Sequence, residues 1–274
     1  MKFSVLDQSP VRSGVSPDVS IRESVALAQA SEEYGYHRYW LSEHHSSEAV
    51  AGSAPEILMA AIAATTSRIR VGSAGIMLPH YSALKVAEQF RVLEAIAPGR
   101  IDLGVGRAPG SDGRTAMALN PNAAHAADAF PAQLRDLHAW VSGFELPVNH
   151  PFRAVQAEPA GPYAPELWML GSSDYGAQVA AYFGLPYCFA YFFNDGAGAQ
   201  QALDIYHANF KPSELLAAPH SAITVWAFAG ENQEEADYFY QSRAIAGIMR
   251  DRGRFIALPS PEEAAAFEVT ETER

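Results

Sequence analysis

Short, continuously apolar runs alternate with helix-period segments along the whole chain, and this alternation restricts the fold more than any other feature. The runs cover residues 2–7, 37–43, 69–78, 100–106, 166–170, 186–192 and 220–229. Strands with no polar alternation are covered on both faces, which is the condition of a parallel sheet with helices outside it. Seven such strands predict a TIM-type (β/α)8 barrel that lacks, or does not show, its eighth β/α unit. A doubly wound open sheet would accommodate seven strands without a gap, but its nucleotide-binding turn is absent. Gly104-Val105-Gly106 runs on to Pro109 where G-x-G-x-x-G needs glycine. One barrel domain over residues 1–274 accounts for the length.

Between the strands the punctuation is local. Ser20 with Glu23, and Ser53 with Glu56, predict capping boxes for the first two helices, with Pro55 tolerated in the first turn. Residues 57–64 are apolar all round, which predicts burial on both sides and a homodimer through 54–64, with Ile62 facing outward. Further helices are expected at 82–97, within 128–141, and at 175–183, 198–209 and 233–244. Residues 111–122 read as loop, and 147–165, with its prolines, as a long surface connection. No further strand is expected beyond residue 250.

Charge and composition exclude several classes of function. A net charge of -12 disfavours nucleic acid and anionic membrane surfaces. No apolar run reaches spanning length, and residues 1–7 are strand-like rather than a signal peptide, so a cytoplasmic protein is expected. The single cysteine, Cys188, lies in an apolar run and reads as a buried structural thiol.

Four stretches carry residues suited to chemistry. Glu43, His44 and His45 end the second strand, where an α/β barrel presents reactive groups at its C-terminal mouth. Neighbouring strand side chains point to opposite faces, so both histidines face the axis only if the loop has begun. Histidine is suited to proton transfer near neutral pH. A metal site with His80 as third ligand is the rival, without the spacing that supports zinc, and solvated loop histidines are the plain alternative. Gly104-Val105-Gly106-Arg107 offers close backbone approach and a guanidinium fork for phosphate, though a tight turn with a surface arginine explains it equally. Gly171-Ser172-Ser173-Asp174-Tyr175-Gly176 joins strand to helix as an anion cradle or as an ordinary serine cap. Ser73-Ala74-Gly75 places small residues inside a bulky strand, for a ligand or for close packing.

These stretches occur in the order and context found in one family. Trp40-Leu41-Ser42-Glu43-His44-His45, residues 71–79, residues 98–107, residues 170–176 and Phe183-Gly184-Leu185-Pro186 resemble the bacterial luciferase-like monooxygenases. Leu6-Asp7-Gln8-Ser9-Pro10 and Gly106-Arg107-Ala108-Pro109-Gly110 resemble the small, single-gene branch of that family. The resemblance implies a barrel, usually dimeric, that binds reduced FMN at its C-terminal mouth. It implies an FMNH2-dependent monooxygenase fed by a separate flavin reductase. Oxygen adds at the flavin C4a atom, and the resulting C4a-peroxyflavin oxidises an aldehyde or another small organic substrate. His44 is implied as the proton donor or acceptor near the flavin. Ala74 and Gly75 lie by the isoalloxazine, with their peptide commonly cis, and Arg107, Ser172, Ser173 and Gly176 surround the FMN phosphate. An F420-dependent oxidoreductase shares the fold, and a flavin-binding protein without turnover is the alternative outside enzymes. Gly106 stands where luciferase itself carries a reactive cysteine, which argues against light emission. Family members continue through an eighth strand and helix after a stretch like Ser260-Pro261-Glu262-Glu263, where this chain nears its end.

Overall fold

A computed structural model describes residues 1–108 and 110–271; Pro109 of the fourth-strand motif lies outside the described residues. Strands β1 (Val5–Asp7), β2 (Arg38–Leu41), β3 (Arg70–Met77), β4 (Ile101–Gly106), β5 (Glu166–Gly171), β6 (Tyr187–Phe189) and β7 (Ser221–Ile223) form one sheet in chain order. Every neighbouring pair is parallel, so each connection must cross over, and the crossovers carry the helices. These are α1 (Pro17–Glu33), α2 (Pro55–Thr65), α3 (Ala83–Ile96), α4 (Gly113–Leu119), α5 (Ala123–Ala126), α6 (Phe130–Ser142), α7 (Asp174–Phe183), α8 (Ala199–Asn209), α9 (Gln233–Asp251) and α10 (Pro261–Ala265). Among the described residues no eighth strand joins β7 to β1, so the curled sheet is a TIM-like α/β fold left open at one seam.

The two faces of the sheet are buried separately, as a period of two along each strand requires. Outward residues, among them Tyr39, Val71, Ile101, Leu103, Val105 and Phe189, pack under the helices in the main core. Inward residues form a second layer, in which Trp40, Trp168 and Cys188 meet Leu6, Ala74, Leu170 and Ala222. Trp40 and Trp168 meet edge to face at 5.1 Å. Burial pushes the Cys188 thiol up to about 12, so it packs as an apolar group rather than reacting as a thiolate. At the other end of the strands the fully buried Asp102 accepts from Trp40 Nε1 at 2.8 Å and from Arg70 Nε at 2.9 Å. It also pairs with Arg38 at 2.6 Å.

The small residues of β3 and β4 serve strand packing. Ser73 is fully buried, and its hydroxyl donates to the Gly104 carbonyl at 2.8 Å. A Cβ on Gly104 would sit 2.1 Å from the Ser73 carbonyl, and one on Gly75 would sit 2.7 Å from that of Gly104. The register shifts between Ser73 and Ile76, where the backbones close on each other. At Gly75 the close packing is between strand and strand rather than helix and strand, and Gly104 lies inside β4 against β3 rather than in a tight turn.

Several local expectations are corrected. Neither capping box forms: α1 begins at Pro17 after Ser16, and the Ser20 hydroxyl turns to the Pro10 carbonyl at 2.8 Å. Ala54, not Ser53, stands at the start of α2, with Pro55 in its first turn. A reciprocal box does form at α10, between Ser260 and Glu263. Residues 111–122 contain α4, started by Asp112 accepting from Arg114 N and Thr115 N. β6 is only three residues long, and Tyr191–Phe193 forms a 3-10 turn, so β7 has three partners and no more. α9 runs to Asp251 rather than 244. Ile62 is fully buried on the inner side of α2, and the outer side of that helix presents Ile57, Ala61 and Ala64 instead. No helix among the described residues is long and apolar enough to cross a membrane.

One buried group gives the fold a pH dependence. His138 in α6 lies edge to face with Phe144 at 5.3 Å, and burial lowers its pKa to about 4. The unfolded chain takes up that proton near pH 6.5 while the folded one resists it, so the neutral form stabilises the fold above that range. As pH falls from about 6.5 towards 4, about 2–3 kcal/mol of stability is expected to be lost through this residue. Urea midpoints across that window should flatten in His138→Phe; an unchanged acid limb would show that the ring is accessible.

Candidate active site

All seven residues singled out from the sequence line one cleft of about 320 Å³ at the C-terminal ends of the strands. His44 comes from the turn after β2, Ala74 and Gly75 from β3, and Arg107 from the end of β4. Ser172, Ser173 and Gly176 come from the β5–α7 junction. Parallel topology alone brings them together, since every strand ends on the same side.

The two histidines part company because β2 stops at Leu41. His44 lines the cleft, with its backbone N–H on the Gly52 carbonyl at 2.9 Å and its Nδ1 3.2 Å from Ser42 Oγ. Burial lowers its pKa below the ordinary value, which outweighs the opposite pull of Glu43. The imidazole is therefore neutral at neutral pH, with a lone pair able to take a proton. His45 points away from the cleft: its Nε2 meets Glu43 Oε1 at 2.7 Å, and its ring stands edge-on to His80 at 6.4 Å. Among the described residues no group of three or more His, Cys, Asp or Glu is arranged to hold a metal ion.

Glu43 ties the cleft wall together. Its fully buried carboxylate also accepts from Tyr81 Oη at 2.6 Å and from the Met77 backbone N–H at 2.9 Å. Burial and this bond push the Tyr81 phenol up, so it stays a donor. The segment carrying His44 is thereby fixed to the end of β3, just past the Ala74–Gly75 peptide, which is cis.

Opposite, the β5–α7 junction is open to a ligand. Ser173 is the N-cap residue of α7, yet its side chain makes no capping bond. The ordinary serine-cap reading is thus not realised, and the first N–H groups of α7, in a stretch that lines the cleft, are not served by that hydroxyl. A Cβ on Gly176 would lie 3.5 Å from Gly171 Cα, which sets how near the helix start comes to β5. The Arg107 guanidinium lies over the Tyr175 ring, 4.0 Å from its centroid, and forms no ion pair with any described residue. The remaining wall is mostly apolar, with Trp40, Met77, Leu170, Cys188, Phe192 and Phe193 beside the uncharged polar Gln8, Ser42 and Thr224, and among the described residues no carboxylate or lysine lines the cleft. From sequence, Tyr175 reads only as part of the strand-to-helix stretch 171–176, without a role of its own, and the Phe192–Phe193 wall is missed, Phe192 reading as the end of a strand.

Comparison with known proteins identifies the family and the fold. A family model described as luciferase-like monooxygenase matches residues 1–273. The luciferase-like monooxygenase of Escherichia coli (strain K12) is 40% identical over 259 residues, 94% of this chain and 76% of the relative. The N-acetyl-S-alkylcysteine monooxygenase of Bacillus subtilis (strain 168) is 38% identical over 271 residues, 97% of this chain and 79% of that one. The crystal structure of apo-MsnO8 superposes with a TM-score of 0.89 at 38% identity, over 97% of this chain and 78% of that chain. The fold is shared more distantly with the oxygenating constituent of 3,6-diketocamphane monooxygenase from Pseudomonas putida in complex with FMN. There the TM-score is 0.69 at 19% identity, over 92% of this chain and 76% of that one. An F420-dependent secondary alcohol dehydrogenase has a TM-score of 0.58 at 15% identity, over 97% of this chain and 82% of that one. The chain belongs to the luciferase-like monooxygenase family.

Proposed function

We propose that the cleft binds reduced FMN and that the protein uses it, with O2, to oxygenate a small neutral organic substrate such as an aldehyde. The observation that carries this reading is Arg107, without an ion-pair partner among the described residues, beside a helix start whose serine is not spent on capping. In a chain with 31 acidic residues, an arginine without a carboxylate partner at a cleft marks an anion site. Arg107, the Ser172 and Ser173 hydroxyls and the first N–H groups of α7 fit a phosphate dianion. Ala74 and Gly75 form the floor for the ring system, and the residues present suit the cofactor.

Reduced FMN, when bound, supplies the electrons that activate oxygen. The chain does the rest. His44, neutral and partly shielded from water, takes or returns a proton beside the ring. Trp40, Met77, Leu170 and the Phe192–Phe193 wall exclude water, and the lack of lining carboxylates and lysines favours an uncharged substrate. A separate reductase supplies the reduced flavin. Ile57, Ala61 and Ala64, with Val92 and Ile96 of α3, are exposed and serve a homodimer, which sedimentation would detect as a doubled mass.

The F420 reading rests on the fold shared with the alcohol dehydrogenase, and a flavin binder without turnover would use the same cleft. Direct titration separates the cofactors: FMN should bind more tightly than F420, and the reverse order would replace this reading. Arg107→Ala should weaken FMN about thirty- to hundredfold, the loss of about 2–3 kcal/mol of charge-assisted bonding. Riboflavin, which lacks the phosphate, should be little affected. Equal losses for both ligands would remove the phosphate from this site.

A further inference from the structure

We infer that Tyr175 is a positioning residue, holding the Arg107 guanidinium in place for the cofactor phosphate; this rests on the phosphate reading above. Arg107 follows β4, while Tyr175 belongs to the first turn of α7. The two meet only because the strands end on one side. The stacked contact, 4.0 Å from guanidinium carbon to ring centroid, is the one that cation makes among the described residues. A ring face attracts a guanidinium and fixes its plane, leaving the N–H edges free to point outward.

The ring and the open N–H groups belong to the same helical turn, so stacking sets the distance between the two halves of the anion cradle. Tyr175 is partly buried and packs against the main core, so it is a fixed platform rather than a loose side chain. The neighbouring acid, Asp174, would repel a phosphate if it turned inward. Gln201 Nε2 donates to Asp174 Oδ2 at 2.6 Å and ties that carboxylate to α8. Without the ring, Arg107 would sample many rotamers, and the anion would have to order it on binding.

The test is the ratio of riboflavin to FMN dissociation constants, measured by fluorescence titration on the full chain. Tyr175→Leu should lower the preference for FMN about three- to tenfold while leaving riboflavin alone. Tyr175→Phe should keep the parent ratio, because the ring face and not the hydroxyl does the holding. In an Arg107→Ala background, Tyr175→Leu should change FMN no further, since the two residues act as one unit. Thermal unfolding of each variant confirms that the fold survives, and Tyr175→Met replaces the leucine variant if that one does not fold. An unchanged ratio in Tyr175→Leu, beside a collapsed ratio in Arg107→Ala, overturns the positioning role and leaves the phosphate site standing. Parallel loss of FMN and riboflavin in Tyr175→Leu also overturns it, placing the ring against the flavin itself. A parent protein that binds both ligands equally overturns the phosphate reading and this inference with it.

Discussion

Gly104→Ala should yield little or no folded protein. The added methyl would lie 2.1 Å from the Ser73 carbonyl, with Leu170 Cδ1 3.0 Å away. β3 and β4 pair on both sides of the register shift at this point, and Ser73 Oγ also bonds the Gly104 carbonyl, so the two backbones are held together where the methyl would enter. Overpacking in a closed core costs about 1–3 kcal/mol where side chains can move. Here the obstacle is backbone, so a cost above about 3 kcal/mol is expected against a typical total of about 5–15 kcal/mol. Gly113→Ala is the control: nothing lies within 4 Å of its Cβ position at the start of α4. Soluble yield and thermal midpoint read both, and a Gly104→Ala protein melting with the parent would contradict the close approach of β3 to β4.

Asp102→Ala should destabilise by about 3–5 kcal/mol, because it strands two guanidinium groups in the interior. Asp102 is fully buried between Arg38 and Arg70, which are themselves 11% and 21% exposed. It also takes the Trp40 indole N–H, so its loss loosens the inward layer beneath the cleft. Glu166 pairs with the same arginines but is 37% exposed, so Glu166→Ala should cost under about 1 kcal/mol. Urea denaturation gives the order directly. Equal effects of the two substitutions would mean that water reaches Asp102.

The barrel was legible because each strand is an apolar run flanked by turn residues, which means a parallel sheet covered on both faces, and the missing G-x-G-x-x-G turn set the doubly wound sheet aside. The open seam was legible too, as a missing run after residue 229. Helix starts were read poorly at Ser20, since serine three residues before glutamate also occurs inside a helix. There the hydroxyl went to Pro10, a partner that the sequence does not point to. α4 escaped notice because it carries no apolar stripe and depends on Asp112.

At the site, position was legible and wiring was not. His44, Arg107 and the serines stand at strand ends, and parallel topology carries strand ends to one mouth. Glu43 meets Met77 and Tyr81 across 34 and 38 residues of chain, and Arg107 at the end of β4 meets Tyr175 in α7. Such contacts depend on register and rotamer, which periodicity does not encode. Ser73-Ala74-Gly75 was legible as a constraint, but Ser73 turns out to meet only the neighbouring strand, Gly75 both that strand and the cleft, and Ala74 the cleft.

The central claim is that the cleft directs the reaction of reduced FMN with oxygen. Stopped-flow mixing of the protein, loaded anaerobically with FMNH2, against oxygenated buffer tests it most directly. Oxygen should disappear well before oxidised FMN appears, and His44→Ala should shorten that delay while FMN remains bound. Oxygen loss and flavin oxidation in step, at the rate of free FMNH2 and with hydrogen peroxide as product, would contradict the account.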